Sequence, residues 1–140
     1  MNISTDIIIN WNYLLTLKSK EPHSQIKKGI ESALHRTEYY EDPIDKASAL
    51  FHSLINNHYF LQANKRTALV ALLISLSKYD FGDDFLEELI LDTVNKKLDV
   101  EEISSRLRNN LKYSGYINEN KDIYNVIIKY SKLIEKLYYI

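Results

Sequence analysis

The chain has no cysteine, so it can form neither a disulfide nor a thiolate metal site, and this suits a reducing compartment. Only 3 Gly and 2 Pro occur in 140 residues; so few turn formers leave long helices as the expected building block. An excess of one charge is missing too. A formal net charge of -1 provides no basic surplus for a phosphate backbone, so direct nucleic-acid binding is not expected. The longest uninterrupted apolar run, Ala68 to Ile74, is far too short for a bilayer span. The opening "MNISTDIIINW" lacks the basic region and long apolar core of a secretory signal. One soluble, cytoplasmic domain over residues 1–140, with no membrane contact, is therefore expected, and the chain is long enough to bury a core.

The apolar pattern is helical nearly throughout. Asp6 to Lys18 sets Ile7, Trp11, Leu14 and Leu15 on one face, with Thr5 as a cap. "EPHSQIKKGIESALH" reads as a helix capped by Ser24 and carrying Ile26, Ile30, Ala33 and Leu34. The next stretch, "RTEYYED", has no such stripe, and Thr37 with Tyr39-Tyr40 favours an extended segment. Asp42-Pro43 starts a helix strongly: the Asp caps it, and Pro stands where a missing N–H costs nothing. Ile44, Ala47, Phe51, Leu54 and Ile55 follow at helical spacing up to Asn56-Asn57. "TALVALLISLSKY" is apolar on every face, the pattern of a buried central helix. Asp83 opens a further helix with Leu86, Leu89, Ile90 and Val94 inward; Asp99 and Glu102 form a capping-box start before Val100, Ile103 and Leu107. A last amphipathic helix, about 121–138, carries Ile123, Val126, Ile127, Tyr130, Ile134 and Leu137. The whole predicts an all-α compact bundle of about seven helices with one short extended segment.

Chemistry concentrates in "HYFLQANKR", His58 to Arg66, just before the buried helix. The first N–H groups of a helix lack intrahelical partners and carry the positive end of its dipole, so a loop entering a helix is an anion site. Lys65 and Arg66 add formal charge, and Asn64 can donate to a phosphate or accept from the loop. An imidazole titrates near neutrality, so His58 beside a phosphate donor can act as a general base. Phe60, an aromatic residue within this polar stretch, is expected to anchor the loop in the core. The glycines of a P-loop are absent. On these residues alone two readings stand: a phosphate cradle with a base beside it, or a solvated helix start with a surface histidine. His52 and His58 lie six apart, which is not a same-face spacing, and His23 and His35 have no partner in sequence.

"HYFLQANKRTA" resembles the signature of the Fic superfamily, His-x-Phe-x-(Asp/Glu)-(Ala/Gly)-Asn-(Lys/Gly)-Arg. His58, Phe60, Ala63, Asn64, Lys65 and Arg66 match it, and Lys65 with Thr67-Ala68 is similar to the death-on-curing (Doc) toxin branch. The resemblance covers roughly residues 28–111. It implies a protein phosphotransferase that moves the γ-phosphate of ATP, with Mg2+, onto a target hydroxyl such as that of elongation factor Tu. The outcome implied is growth arrest, restrained by a cognate antitoxin. His58 would be the base, Asn64, Lys65 and Arg66 the phosphate holders. Thr37, Glu38, Tyr39, Tyr40 and Glu41 would form the flap that docks the target by strand-like pairing. Members with Gly in place of Lys65 transfer adenylyl groups, and AMPylation is the alternative reaction.

Gln62 departs from the signature: it stands where the family has a metal-binding carboxylate, and magnesium prefers anionic oxygen. Slow catalysis, catalysis with metal held by the nucleotide, and a catalytically degenerate binding module all stay open. "SGYINEN" falls short of the family's inhibitory (Ser/Thr)-x-x-x-Glu-(Gly/Asn) motif, because Ser114 lies one residue too far upstream of Glu119-Asn120. The C-terminal helix is expected to cover the bundle or to join a homodimer.

Overall fold

The computed structural model describes residues 3–114 and 122–140; Glu119-Asn120 of the near-miss motif lie outside them. The architecture is an all-α bundle, and among the described residues it comprises eight helices and one two-stranded ribbon. The helices are α1 (Thr5–Ser19), α2 (Ile30–Thr37), α3 (Pro43–Asn56), α4 (Asn64–Ser75), α5 (Asp83–Asn95), α6 (Val100–Arg108), α7 (Ile123–Lys129) and α8 (Ser131–Tyr138). The ribbon pairs β1 (Tyr79–Asp80) with β2 (Lys112–Tyr113) in antiparallel register, Tyr79 opposite Tyr113.

Helix α4 is the axis of the bundle. Every side chain from Arg66 to Ile74 is buried, as expected of a segment apolar all round, with α1, α3, α7 and α8 packed about it. Local signals set several starts. The Asp42 carboxylate accepts from the Ile44 and Asp45 N–H groups, with Pro43 at the first helical position. Asp99 and Glu102 form a reciprocal capping box on α6. No helix among the described residues is long and apolar enough to cross a membrane.

Four expectations are corrected. The stretch "EPHSQIKKG" is extended, not helical: α2 begins only at Ile30, after Gly29 at φ 120°. Backbone pairing with the loop after α3 replaces the helix there. Ile26 and Lys27 N–H groups both donate to the Tyr59 carbonyl, and the Leu61 N–H donates to the Ser24 carbonyl. Gly29 lets the strap turn into α2; a Cβ added there would meet the Tyr59 ring at 3.4 Å in a backbone conformation that side chains disfavour.

The segment Thr37 to Glu41 is not extended. Thr37 ends α2, and the Glu38, Tyr39 and Tyr40 N–H groups fold back onto the His35, Arg36 and Thr37 carbonyls. Local helix-end bonds win over the extended preference of the tyrosines. The C-terminal helix is two elements, broken at Tyr130, whose hydroxyl is held against the Phe81 backbone at 3.3 and 3.4 Å. On α1 the buried face is one position over from that expected: Ile8, Trp11 and Leu15 are inside, Ile7 is exposed, and a polar residue, Asn12, shares the buried face.

His52 is half-buried on α3, where its Nδ1 accepts from Arg36 at 3.1 Å; the same guanidinium reaches the Ser53 hydroxyl. Burial, and secondly the Arg36 charge, hold the imidazole below its ordinary pKa, against a smaller opposing pull from Asp99. The folded state therefore resists a proton that the unfolded chain accepts near pH 6.5. This contribution to stability is fully present above that pH and is lost as pH falls through it. Thermal midpoints of wild type and His52→Gln, followed from pH 8 to 5, are expected to diverge: the wild type falls more steeply below pH 6.5. Parallel curves would mean that His52 is not the neutral acceptor.

Candidate functional site

The loop from His58 to Ala63 connects α3 to α4, and its shape is held from within. Phe60 is buried at 1% exposure, so the expected loop anchor is in the core. Asn64 grips the same residue twice: its Nδ2 donates to the Phe60 carbonyl at 2.8 Å, and its Oδ1 accepts the Phe60 N–H at 3.1 Å. The Asn64 side chain thereby clamps the loop. His58 is exposed and stands at φ 49°, a left-handed backbone uncommon for a residue with a side chain.

Ala63, at φ 65° and ψ 30°, is the N-cap of α4, and no side chain caps the helix. The N–H groups of Ala63, Asn64, Lys65 and Arg66 have no acceptor among the described residues. A left-handed residue followed by helical ones turns successive N–H groups toward one point, and such a nest draws anions. The nest opens into a cleft of about 410 Å3, in the size range of small-molecule sites. Its polar wall has His58, Gln62, Asn64, Lys65, Arg66 and Glu21; its apolar wall has Ile55, Leu61, Val94, Leu137, Tyr138 and Ile140. So His58, Gln62, Asn64, Lys65 and Arg66 come together. Thr37 to Glu41 do not line the cleft; Thr37 borders a separate groove with Leu34, Pro43 and Lys46.

Glu21 has no local sequence signal for its role. Helix α1 ends with Lys20 in the left-handed conformation, the Lys20 N–H bonded to the Leu17 carbonyl and the Glu21 N–H to that of Thr16. This Schellman turn aims Glu21 at the cleft. Its carboxylate takes Arg66 at 2.7 Å, with the two side chains 12% and 6% exposed, and also accepts the Ser19 hydroxyl. Arg66 Nη1 reaches Ser19 at 3.2 Å, and the Tyr138 ring of α8 lies 5.3 Å from the guanidinium carbon. Arg66 is thus engaged inside the protein, through Nη1 by Ser19 and through Nη2 by Glu21. Lys65, half-buried on the cleft wall, is the cation left for a ligand there.

The residues do not fit a magnesium ion held by the chain. Gln62 offers a neutral amide, Glu21 is engaged by Arg66, and no group of three His, Asp or Glu able to hold a metal occurs among the described residues.

Sequence reasoning also missed His23 and Asn12. The His23 Nδ1 and Asn12 Oδ1 lie 2.9 Å apart, and the imidazole packs on Tyr13 and Phe60. Asn12 Nδ2 reaches the Gln62 carbonyl and the Thr67 hydroxyl.

The comparisons with known proteins bear on this same region. A model of the Fic/DOC family matches residues 15–76, from the last turns of α1 through the loop to the end of α4. Comparison with curated proteins found no match.

Proposed function

We propose that the chain is a Fic/Doc-type protein phosphotransferase of the Doc branch, transferring the γ-phosphate of ATP to a hydroxyl of a target protein. The observation that carries the reading is that His58 and the uncapped N-terminal turn of α4 face one cleft. In this reading the backbone nest and Lys65 hold phosphate oxygens, while the apolar wall beside Tyr138 receives the rest of the nucleotide. His58 takes the proton of the attacking hydroxyl as its oxygen bonds to the γ-phosphorus. The bond from that phosphorus to the bridging oxygen breaks, and ADP leaves. Positioning and fixed dipoles supply most of the acceleration in such a transfer. ATP is taken as its magnesium complex, the metal riding on the triphosphate. A translation factor of the elongation factor Tu class as target, an antitoxin as partner and growth arrest as outcome follow from the branch assignment.

Two observations favour a second reading, a degenerate member that binds without turnover: Gln62 is uncharged, and Arg66 is already neutralised by Glu21. One assay separates the readings. Wild type and Gln62→Asp are incubated with a bacterial lysate and with ATP labelled at either the γ- or the α-phosphate. A γ-labelled protein band from wild type is expected, and stronger labelling from Gln62→Asp, which restores an anionic ligand. An α-labelled band would instead mean adenylyl transfer. Silence from both proteins would leave the binding module.

A further inference from the structure

We propose that Asn12 is the positioning residue of the anion cradle: by drawing the Gln62 carbonyl into the protein, it turns the Ala63 N–H out into the cleft. The inference rests on the cradle reading above, and Asn12 lies outside the stretch that matches the family model.

Asn12 is fully buried on α1. One Nδ2 hydrogen goes to the Gln62 carbonyl at 2.8 Å and the other to Thr67 Oγ1 at 3.1 Å. With both donors spent, its Oδ1 accepts, so His23 Nδ1 is the protonated nitrogen of that ring. A buried amide with nearly all its hydrogen-bonding capacity used has a single orientation. That orientation acts on one peptide group in particular. The chain has no cis peptide bond, and in a trans peptide the C=O and the following N–H point in opposite directions. Pinning the Gln62 carbonyl toward α1 therefore aims the Ala63 N–H away from α1, on the side of the cleft that Ala63 lines. The same peptide sets the left-handed φ of Ala63, the conformation that makes the next N–H groups converge. Without Asn12 the Gln62 carbonyl loses the bond that sets its direction, and the first donor of the cradle is no longer held by it.

The test follows backbone amides of the 15N-labelled chain during titration with inorganic tripolyphosphate. In wild type, the Ala63, Asn64 and Lys65 amides are expected to shift saturably. Asn12→Asp keeps the size and the acceptor for His23 but cannot donate to Gln62; it is expected to bind at least ten-fold more weakly, with the Ala63 response lost. Asn12→Ala, which buries no charge, carries the same expectation. Thr67→Val cuts the other Asn12 bond alone, and is expected to lower stability while keeping affinity within two-fold. A merely structural Asn12 would instead weaken binding in all three variants in proportion to lost stability, and that result overturns the proposal. Unchanged tripolyphosphate affinity in both Asn12 variants overturns it as well, with the cradle reading intact. In wild type alone, the through-bond coupling from Asn12 Nδ2 to the Gln62 carbonyl carbon must persist in the bound state, and its disappearance on binding also overturns the proposal. Absence of any wild-type shift at Ala63 to Lys65 would remove the cradle reading itself.

Discussion

Arg66→Ala is expected to destabilise the fold by about 3–5 kcal/mol, the usual consequence of stripping one partner from a buried ion pair. The size follows from what remains. The Glu21 carboxylate, 12% exposed, keeps only the Ser19 hydroxyl, and the Tyr138 ring loses the guanidinium beneath it. A charge left in that environment is desolvated without compensation. Urea unfolding of wild type, Arg66→Ala and the double variant Arg66→Met with Glu21→Gln measures it. The double variant should recover most of the loss, because a neutral pair of similar volume carries no stranded charge. Wild-type stability in Arg66→Ala would mean that the pair does not hold α1 to α4.

Glu21→Gln reads the same contact from the ligand's side. It frees the guanidinium from its carboxylate, and tripolyphosphate should then bind roughly ten-fold more tightly, the scale of one added charge-assisted hydrogen bond. Unaltered affinity would mean that Arg66 never reaches the ligand and serves the fold alone.

His58→Ala is expected to lower transfer of the γ-phosphate by about 10^2–10^4-fold, the range for loss of a positioned general base. Stability should stay within about 0.5 kcal/mol of wild type, since the imidazole is exposed and the substitution leaves a Cβ on the same left-handed backbone. That combination separates catalysis from folding, which Arg66→Ala cannot do. His58→Gly adds a check: it should be as inactive as His58→Ala and more stable by up to about 1 kcal/mol, because glycine occupies φ 49° without strain. Labelling of the target by His58→Ala at the wild-type rate would mean that another group takes the proton, and the proposed mechanism would fail at its first step.

Several parts of the molecule were legible in the residues because their causes are local. Asp42-Pro43 and the Asp99–Glu102 box each satisfy helix-end N–H groups within three residues, so a short window suffices to find them. A segment apolar on every side, Ala68 to Ile74, can only be stable when surrounded, and α4 is. The loop anchor and its clamp, Phe60 and Asn64, are four residues apart. Positions 21–28 were misread for the opposite reason. Ile26 and Ile30 keep helical spacing, but the bonds that decide the segment come from Tyr59 and Leu61, more than thirty residues along the chain.

By itself, then, the sequence determined the helical class, the buried axis α4 and the cluster His58, Lys65 and Arg66 at its entrance. Hydrophobic periodicity and helix-end chemistry act over a turn or two, within reach of neighbours in sequence. Only the tertiary structure decided what those residues are free to do. Glu21 meets Arg66, Asn12 meets Gln62, and Tyr138 arrives from α8 to cover the guanidinium. A side chain's charge and donors are intrinsic to it. Whether they face a ligand or are already spent inside the protein depends on partners that folding brings from distant parts of the chain.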